Sequence, residues 1–175
     1  VFNSKVDKIE EAFCMETDLV VHSNELVEAS YALNIDEMRL LNFALSKIDS
    51  RQKSVGSISL CPDEFSNAFD LPAQNIHRNM RNAVSQIMRK PVVMYDDTGR
   101  RTELSWLVKN SYFVDEAKGA EIEIQFSPLI EPYLFELKNN FTKINFEFAA
   151  KLNTPFSFRL YQWLMKARGL NKHKE

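Results

Sequence analysis

Apolar positions recur along this chain at two spacings, and they divide it into helices and strands. Met38, Leu41, Leu45 and Ile48 lie at i, i+3, i+7 and i+10, the stripe of a helix buried on one face. Asn34 with Glu37 three residues on resembles a capping box and marks its start. Ser57-Ile58-Ser59-Leu60 alternates and predicts a short strand. Pro62 suits the first position of the next helix, with Asp63 and Glu64 where the dipole favours acids. Phe65, Ala68 and Phe69 form its inner face, and Leu71-Pro72 breaks it. A further helix follows at once, with Ile76, Met80, Ala83, Val84 and Ile87 on one side. Two helices joined by a tight break predict a helix-turn-helix. Pro91 ends the second of them.

Beyond Pro91 the pattern turns to sheet. Val92 to Tyr95, the turn Asp96-Asp97-Thr98-Gly99, and Glu103 to Lys109 predict one hairpin. Tyr112-Phe113-Val114, Lys118-Gly119, and Ile122, Ile124 and Phe126 predict a second. Upstream, Asp18 to His22 predicts a short extended piece, and Ser23 or Asn24 caps a short helix running through Leu33. Downstream, Ser127-Pro128 opens a helix through Leu137, Phe141 to Phe148 is apolar without a clear period, and Thr154-Pro155 starts a last helix. The order helix, strand, helix, helix, hairpin predicts an α+β winged helix with additional N- and C-terminal helices. The first hairpin is the wing in this reading, with Arg100 and Arg101 near its tip. The expected divisions are an arm over 1–22, the winged helix over 23–168, and a tail over 169–175 that either ends the chain or begins a linker.

At 175 residues and 45% hydrophobic, the chain suits one domain with a packed core. No apolar run approaches the ~20 residues of a membrane helix, and no signal-peptide pattern is present. The first residue is Val, which predicts a trimmed chain or part of a longer product. Cys14 and Cys61 stand far apart without a ligand-spaced partner, so reduced thiols and a cytoplasmic location are expected.

The net charge of −2 conceals a segregation. Acids outnumber bases from Val1 to Ser50, whereas Phe148 to Lys174 holds six bases and no acid. Between Leu71 and Tyr95 there is no acid, yet Arg78, Arg81, Arg89 and Lys90 are there. Asn75, Arg78, Asn82 and Arg89 fall opposite the apolar stripe. A buried face opposite a basic, amide-rich one is what a nucleic-acid-reading helix needs, although charge runs are as often merely solvated. The expected DNA-binding residues are Asn75, Arg78, Arg81, Asn82, Arg89, Arg100, Arg101 and Lys109. The hairpins also leave a strand edge open to another copy. Tyr112, Val114, Ile122 and Ile124 are the expected dimerisation residues. The alternating face of Ile122, Ile124 and Phe126 could equally pack on the following helix.

Catalytic chemistry is not foreshadowed. His22, His77 and His173 have no second ligand at metal-binding spacing. Asp96-Asp97 stands beside Gly99 and reads as turn chemistry. There is no phosphate loop, nucleophile elbow or Cys–His pair. No metal, cofactor or enzymatic activity is expected.

Three blocks carry a family resemblance: Ser23-Asn24-Glu25-Leu26-Val27-Glu28-Ala29, Glu37-Met38-Arg39-Leu40-Leu41 with Ala44-Leu45-Ser46-Lys47-Ile48-Asp49, and Phe156-Ser157-Phe158-Arg159-Leu160-Tyr161-Gln162-Trp163-Leu164. In this order and spacing the chain resembles the plasmid replication initiators of the Rep type, which bind repeated origin sites called iterons. The resemblance implies two winged-helix domains in tandem, the first for dimerisation and backbone contacts and the second for reading sequence. This chain is similar to the first only. It further implies double-stranded origin DNA, a second copy, and a host replication initiator and helicase as partners. A winged-helix transcription regulator, or a dimerisation module without DNA contact, is the rival reading.

Overall fold

Two polar side chains turn extended backbone into helix at the start of the folded region. The hydroxyl of Ser23 accepts the Leu26 N–H at 3.1 Å, ending strand β1 (Leu19–Ser23) and starting α1 (Asn24–Glu28). Asn34 and Glu37 form the full capping box of α2 (Ile35–Ser46), each side chain accepting the other's backbone N–H. The computed structural model describes residues 19–48, 56–115, 119–134 and 141–171. The expected arm up to Asp18, Lys118, Leu137 and the tail from Lys172 lie outside these.

The remaining elements are β2 (Ser57–Leu60), α3 (Pro62–Ala68), α4 (Ile76–Ile87), β3 (Val92–Tyr95), β4 (Arg101–Leu104), β5 (Leu107–Asp115), β6 (Gly119–Phe126), a 3-10 turn (Glu131–Tyr133), β7 (Phe141–Asn145), α5 (Phe146–Ala150) and α6 (Pro155–Asn171). Strand β2 pairs antiparallel with β6, and β6 with β5, so the sheet order is β2-β6-β5. This is the winged-helix arrangement: the strand between α2 and α3 closes on the wing. Strand β1 pairs with β7, from Leu19 opposite Asn145 to Ser23 opposite Phe141. Residues 19–22 therefore belong to the folded body and not to the arm, and α6 continues past the expected boundary at 168.

The wing is the second hairpin, β5–β6, and not the first. Strand β4 stops at Leu104 because Trp106 must sink into the core, where it is 1% exposed and meets Tyr31 edge-on at 5.2 Å. The expected continuous strand to Lys109 is thus cut in two. The β3–β4 hairpin is a separate two-stranded sheet, joined to the end of α1 by a reciprocal bridge between Ser30 and Val93 at 2.9 and 2.8 Å. That bridge also explains why α1 stops at Glu28 instead of reaching Leu33. Ala29 is already extended so that Ser30 can pair. The helix expected from Pro128 is, over the described residues, a turn and the short 3-10 piece. Pro132 offers no N–H and disfavours helix at the residue before it.

The core lies between the helices and the inner face of the three-stranded sheet. Ile58, Leu60, Ile122, Ile124 and Phe126 supply the sheet side, with Met38, Leu40, Met80 and Ile87 from the helices. Phe43, Phe65, Phe69 and Phe146 form an aromatic cluster with ring centroids 5.0–6.5 Å apart. Ile122 and Ile124 are 2% exposed, so the face expected to meet another copy is turned inward instead.

A buried ion pair joins the two long helices of the motif. Glu37 is fully buried, and Lys90 donates to both its carboxylate oxygens at 2.7 and 2.6 Å. Lys90, one of the four cations in the acid-free segment, is turned inward by this pair. A second knot holds α6. The Arg159 guanidinium donates to the carbonyls of Val27 and Ala29 at 2.9 and 2.8 Å, to the Tyr31 hydroxyl and to Gln162. It thereby closes carbonyls left open where α1 ends.

Each knot gives a prediction. Lys90→Met leaves the Glu37 charge buried with only its capping contacts, and the cost should be about 3 kcal/mol, the low end for a broken buried pair because Lys90 is 30% exposed. The double variant Glu37→Met with Lys90→Met should lose less than the two single losses added together. Urea unfolding measures this, and simple additivity would show that the pair is not coupled. Near the second knot, burial and then the Arg159 charge lower His22 from 6.5 to about 4. The unfolded chain takes up that proton first, so stability is full above about pH 6.5 and falls by about 3 kcal/mol down to about pH 4. In His22→Phe, unfolding midpoints at pH 7 and pH 5 should differ less than in the parent.

Candidate nucleic-acid interface

Helix α4 is placed by what precedes it. The hydroxyl of Ser66 donates to the Leu71 carbonyl at 2.7 Å, and the Leu71 N–H donates back to the Ser66 carbonyl at 2.9 Å. Asp70 and Asn75 adopt left-handed backbone, φ 50° and 65°, conformations that Asn and Asp tolerate better than most residues. The chain therefore reverses within a few residues and starts α4 at Ile76. Asn75 takes the N-cap position without a side-chain hydrogen bond to the helix. Its amide is left to face outward.

Ile76, Met80, Ala83, Val84 and Ile87 are buried, as their spacing predicts. Arg78, Asn79, Arg81, Asn82, Gln86 and Arg89 are exposed. The structure thus brings together five of the expected residues: Asn75, Arg78, Arg81, Asn82 and Arg89. Asn79 and Gln86 add two amides that helical spacing alone could have found. At the other end, Lys90 fixes the exit of the helix against Glu37. The basic face is therefore carried on a helix held at both ends.

The wing lies against this helix. Arg81 stacks over the Tyr112 ring of β5, with the guanidinium carbon 4.5 Å from the ring centroid. Tyr112, expected at a dimer edge, thus also supports the basic helix. No sequence signal marks this contact, since it depends on the register of β5 with β6. Lys109 pairs with Glu123 at 3.0 Å on the outer face of the wing. The Ser57 hydroxyl, and then Lys109, hold the Glu123 carboxyl below its usual range. Lys109 is thus partly neutralised within the sheet.

Arg100 and Arg101 are on a different structure, the β3–β4 hairpin. The turn is built by Asp96, whose Oδ1 accepts the Thr98 hydroxyl at 2.6 Å and the Thr98 and Arg100 N–H groups at 2.9 Å each. These bonds, the Thr98 hydroxyl foremost, hold the Asp96 carboxyl below its usual range. Gly99 supplies the left-handed residue of the turn, at φ 80°. Asp96 is thus occupied by turn structure. Arg100 is exposed, whereas Arg101 is paired with Glu103 at 2.5 Å. Of the expected dimerisation residues, Tyr112 and Val114 are exposed on β5, and Val114 is 65% exposed. Among the described residues, no group of His, Cys, Asp and Glu could hold a metal ion, and no helix is long and apolar enough to cross a membrane.

The family model for the initiator replication protein WH1 domain matches residues 19–165, nearly the whole described fold. The chain belongs to this family. A replication initiation protein of Escherichia coli is 24% identical over 152 residues, covering 85% of this chain and 46% of that protein. A 27.6 kDa E. coli protein is 25% identical over 166 residues, covering 86% of this chain and 68% of it. The chain thus spans about half the length of the first relative and two thirds of the second. Among solved structures, the Pi initiator protein in complex with iteron DNA superposes with a TM-score of 0.71 at 18% identity, over 86% of this chain and 64% of that one. The winged helix expected from the order of elements is the fold of this chain, with the wing moved to β5–β6.

Proposed function

We propose that this WH1 domain serves a plasmid replication initiator by contacting double-stranded DNA at origin iterons and by pairing with a second copy. The observation that carries the reading is the outer face of α4. Arg78, Arg81 and Arg89 stand there with Asn75, Asn79, Asn82 and Gln86, in a segment with no acid from Leu71 to Tyr95. A helix locked by its apolar side and by Glu37 presents those groups without having to be ordered on binding. The Pi initiator, similar in fold, is described in complex with iteron DNA, which supports the same class of ligand. Guanidinium groups favour phosphate contacts that fix position without reading sequence. Arg100 and Arg101 form a second, weaker contact from the β3–β4 hairpin. Lys109 is the weakest of the group, because Glu123 already holds it. The domain acts by binding, in the cytoplasm, without catalysis, cofactor or metal. A host replication initiator and a helicase are its proposed further partners.

Self-association uses the free edge of the wing. Among the described residues, strand β5 pairs with β6 alone, at one end of the order β2-β6-β5. Phe113 and Val114 are exposed along it at 47% and 65%. An apolar strand edge of this kind invites pairing with another chain, and a two-fold arrangement would join β5 to its own copy.

For DNA, Arg78→Ala with Arg89→Ala should weaken binding to all duplexes alike. The salt slope of binding should fall by about one for each phosphate that the variant no longer neutralises. Filter binding or anisotropy across a salt series measures this, with nicking of supercoiled origin plasmid expected to stay at background. Unchanged affinity at low salt would remove α4 from the interface and favour a dimerisation module without DNA contact. For pairing, Phe113→Lys with Val114→Lys puts charge on the edge and leaves the core intact. The parent should sediment as a dimer at micromolar concentration and the variant as a monomer. A parent that is monomeric throughout would sink the pairing.

A further inference from the structure

The outer face of α4 is not uniform. Asn75, Asn79, Asn82 and Gln86 lie at i, i+4, i+7 and i+11, so they form one stripe within about 60° of arc. All four are exposed. Arg78 and Arg89 run beside that stripe, and Arg81 lies further round, over Tyr112 of the wing. Asn79 borders the cleft lined by Phe65, Leu71 and Pro72, on the side away from the wing. The helix therefore carries its guanidinium groups towards the wing and its amides towards α3.

The amides have no task within the domain. Among the described residues, Asn79, Asn82 and Gln86 make no side-chain hydrogen bond, and Asn75 starts α4 without one. Asn is a poor helix former because its side chain competes for backbone groups. Two of them inside α4 therefore weaken the helix and hold nothing in return. They carry no charge, so they add nothing to the attraction for phosphate. A neutral stripe within an acid-free basic segment calls for a ligand chemistry of its own.

A carboxamide sets one donor and one acceptor side by side. In the major groove that pair matches adenine, through its N6 amino group and N7. Guanine shows two acceptors there, which suit a guanidinium, and cytosine shows a donor, which suits the carboxylate that this segment lacks. From Asn75 to Gln86 is about 16 Å of helix, the length of about five base steps. Asn75 and Asn79 stand in the first turn, the part of a recognition helix that meets base edges. We propose that the amide stripe of α4 reads adenines in the major groove, so that this domain selects sequence as well as holding phosphates. The inference rests on the α4 interface proposed above. It assigns base edges to Asn79 and Asn82 and leaves the flanking backbone to Arg78 and Arg89, whereas the family resemblance leaves sequence reading to a second domain.

The experiment selects bound duplexes from a pool with a randomised core, at low salt, using the full chain and its Asn79→Ala, Asn82→Ala variant. Both positions are exposed and Ala favours helix, so the variant should match or exceed the parent's urea midpoint. Asn75 stays in place, since its left-handed backbone suits Asn. The parent should enrich adenine at two or more positions within about five base pairs, and the variant should lose that enrichment. Its salt slope and its affinity for the unselected pool should stay those of the parent, unlike Arg78→Ala with Arg89→Ala. Replacing a selected adenine by 7-deazaadenine removes the N7 acceptor, which should weaken the parent about tenfold and leave the variant unchanged. Binding that enriches no adenine, enrichment that persists in the variant, or a 7-deazaadenine duplex held as tightly as the adenine one would overturn the proposal and leave α4 holding phosphate only. A parent that binds no duplex at low salt would overturn the α4 interface itself, and the base reading with it.

Discussion

The Glu37 carboxylate is the point on which the rest of the fold turns. It is fully buried at the start of α2, and it does two things at once. It accepts the Asn34 N–H and side-chain amide at 2.8 and 2.9 Å, which starts the helix. It also accepts both contacts from Lys90, just after α4 has ended. A buried ion pair contributes little net stability, since an apolar pair of the same volume would hold the elements as tightly. What it specifies is geometry, because a carboxylate that must be paired admits one arrangement of the two helix ends. Pro91 follows at once and fixes the chain direction into β3. The outward rotation of the α4 basic face is therefore decided at a residue far from that face.

Local signals made the helical half legible and left the sheet half open. Asn34, Pro62 and Thr154-Pro155 mark helix starts through bonds made within a few residues, and all three stand where expected. The α4 stripe is likewise a local period. By contrast, which hairpin is the wing depends on whether β2 finds β4 or β6, and nothing in Ser57-Ile58-Ser59-Leu60 distinguishes them. The decision is made by Trp106. Its indole belongs in the core, so the chain must leave the β3–β4 hairpin at Leu104 and begin a new strand. A lone tryptophan between two alternating runs reads equally well as a strand residue. The end of α1 is hidden for the same reason, since Ser30 leaves the helix to pair with Val93, a partner distant in sequence.

The basic residues of the candidate site divide on the same line. Residue type and helical period located Arg78, Arg81 and Arg89, but partners set their availability. Lys90 is spent inward on Glu37, Lys109 on Glu123 and Arg101 on Glu103. The surface that remains is narrower than the count of positive charges suggests, and it is concentrated on one helix.

Arg81 is the residue where the two proposed activities meet. Its guanidinium lies over Tyr112, on the edge strand whose neighbours Phe113 and Val114 are the proposed pairing surface. A cation over a ring keeps its charge while losing much of its rotamer freedom. Pairing of β5 with a second copy would constrain Tyr112, and Tyr112 in turn sets where Arg81 points. A contact across one sheet edge and a contact from one helix face would then share a side-chain position. Coupling of that kind needs no movement of the backbone, only a common partner whose freedom both events restrict.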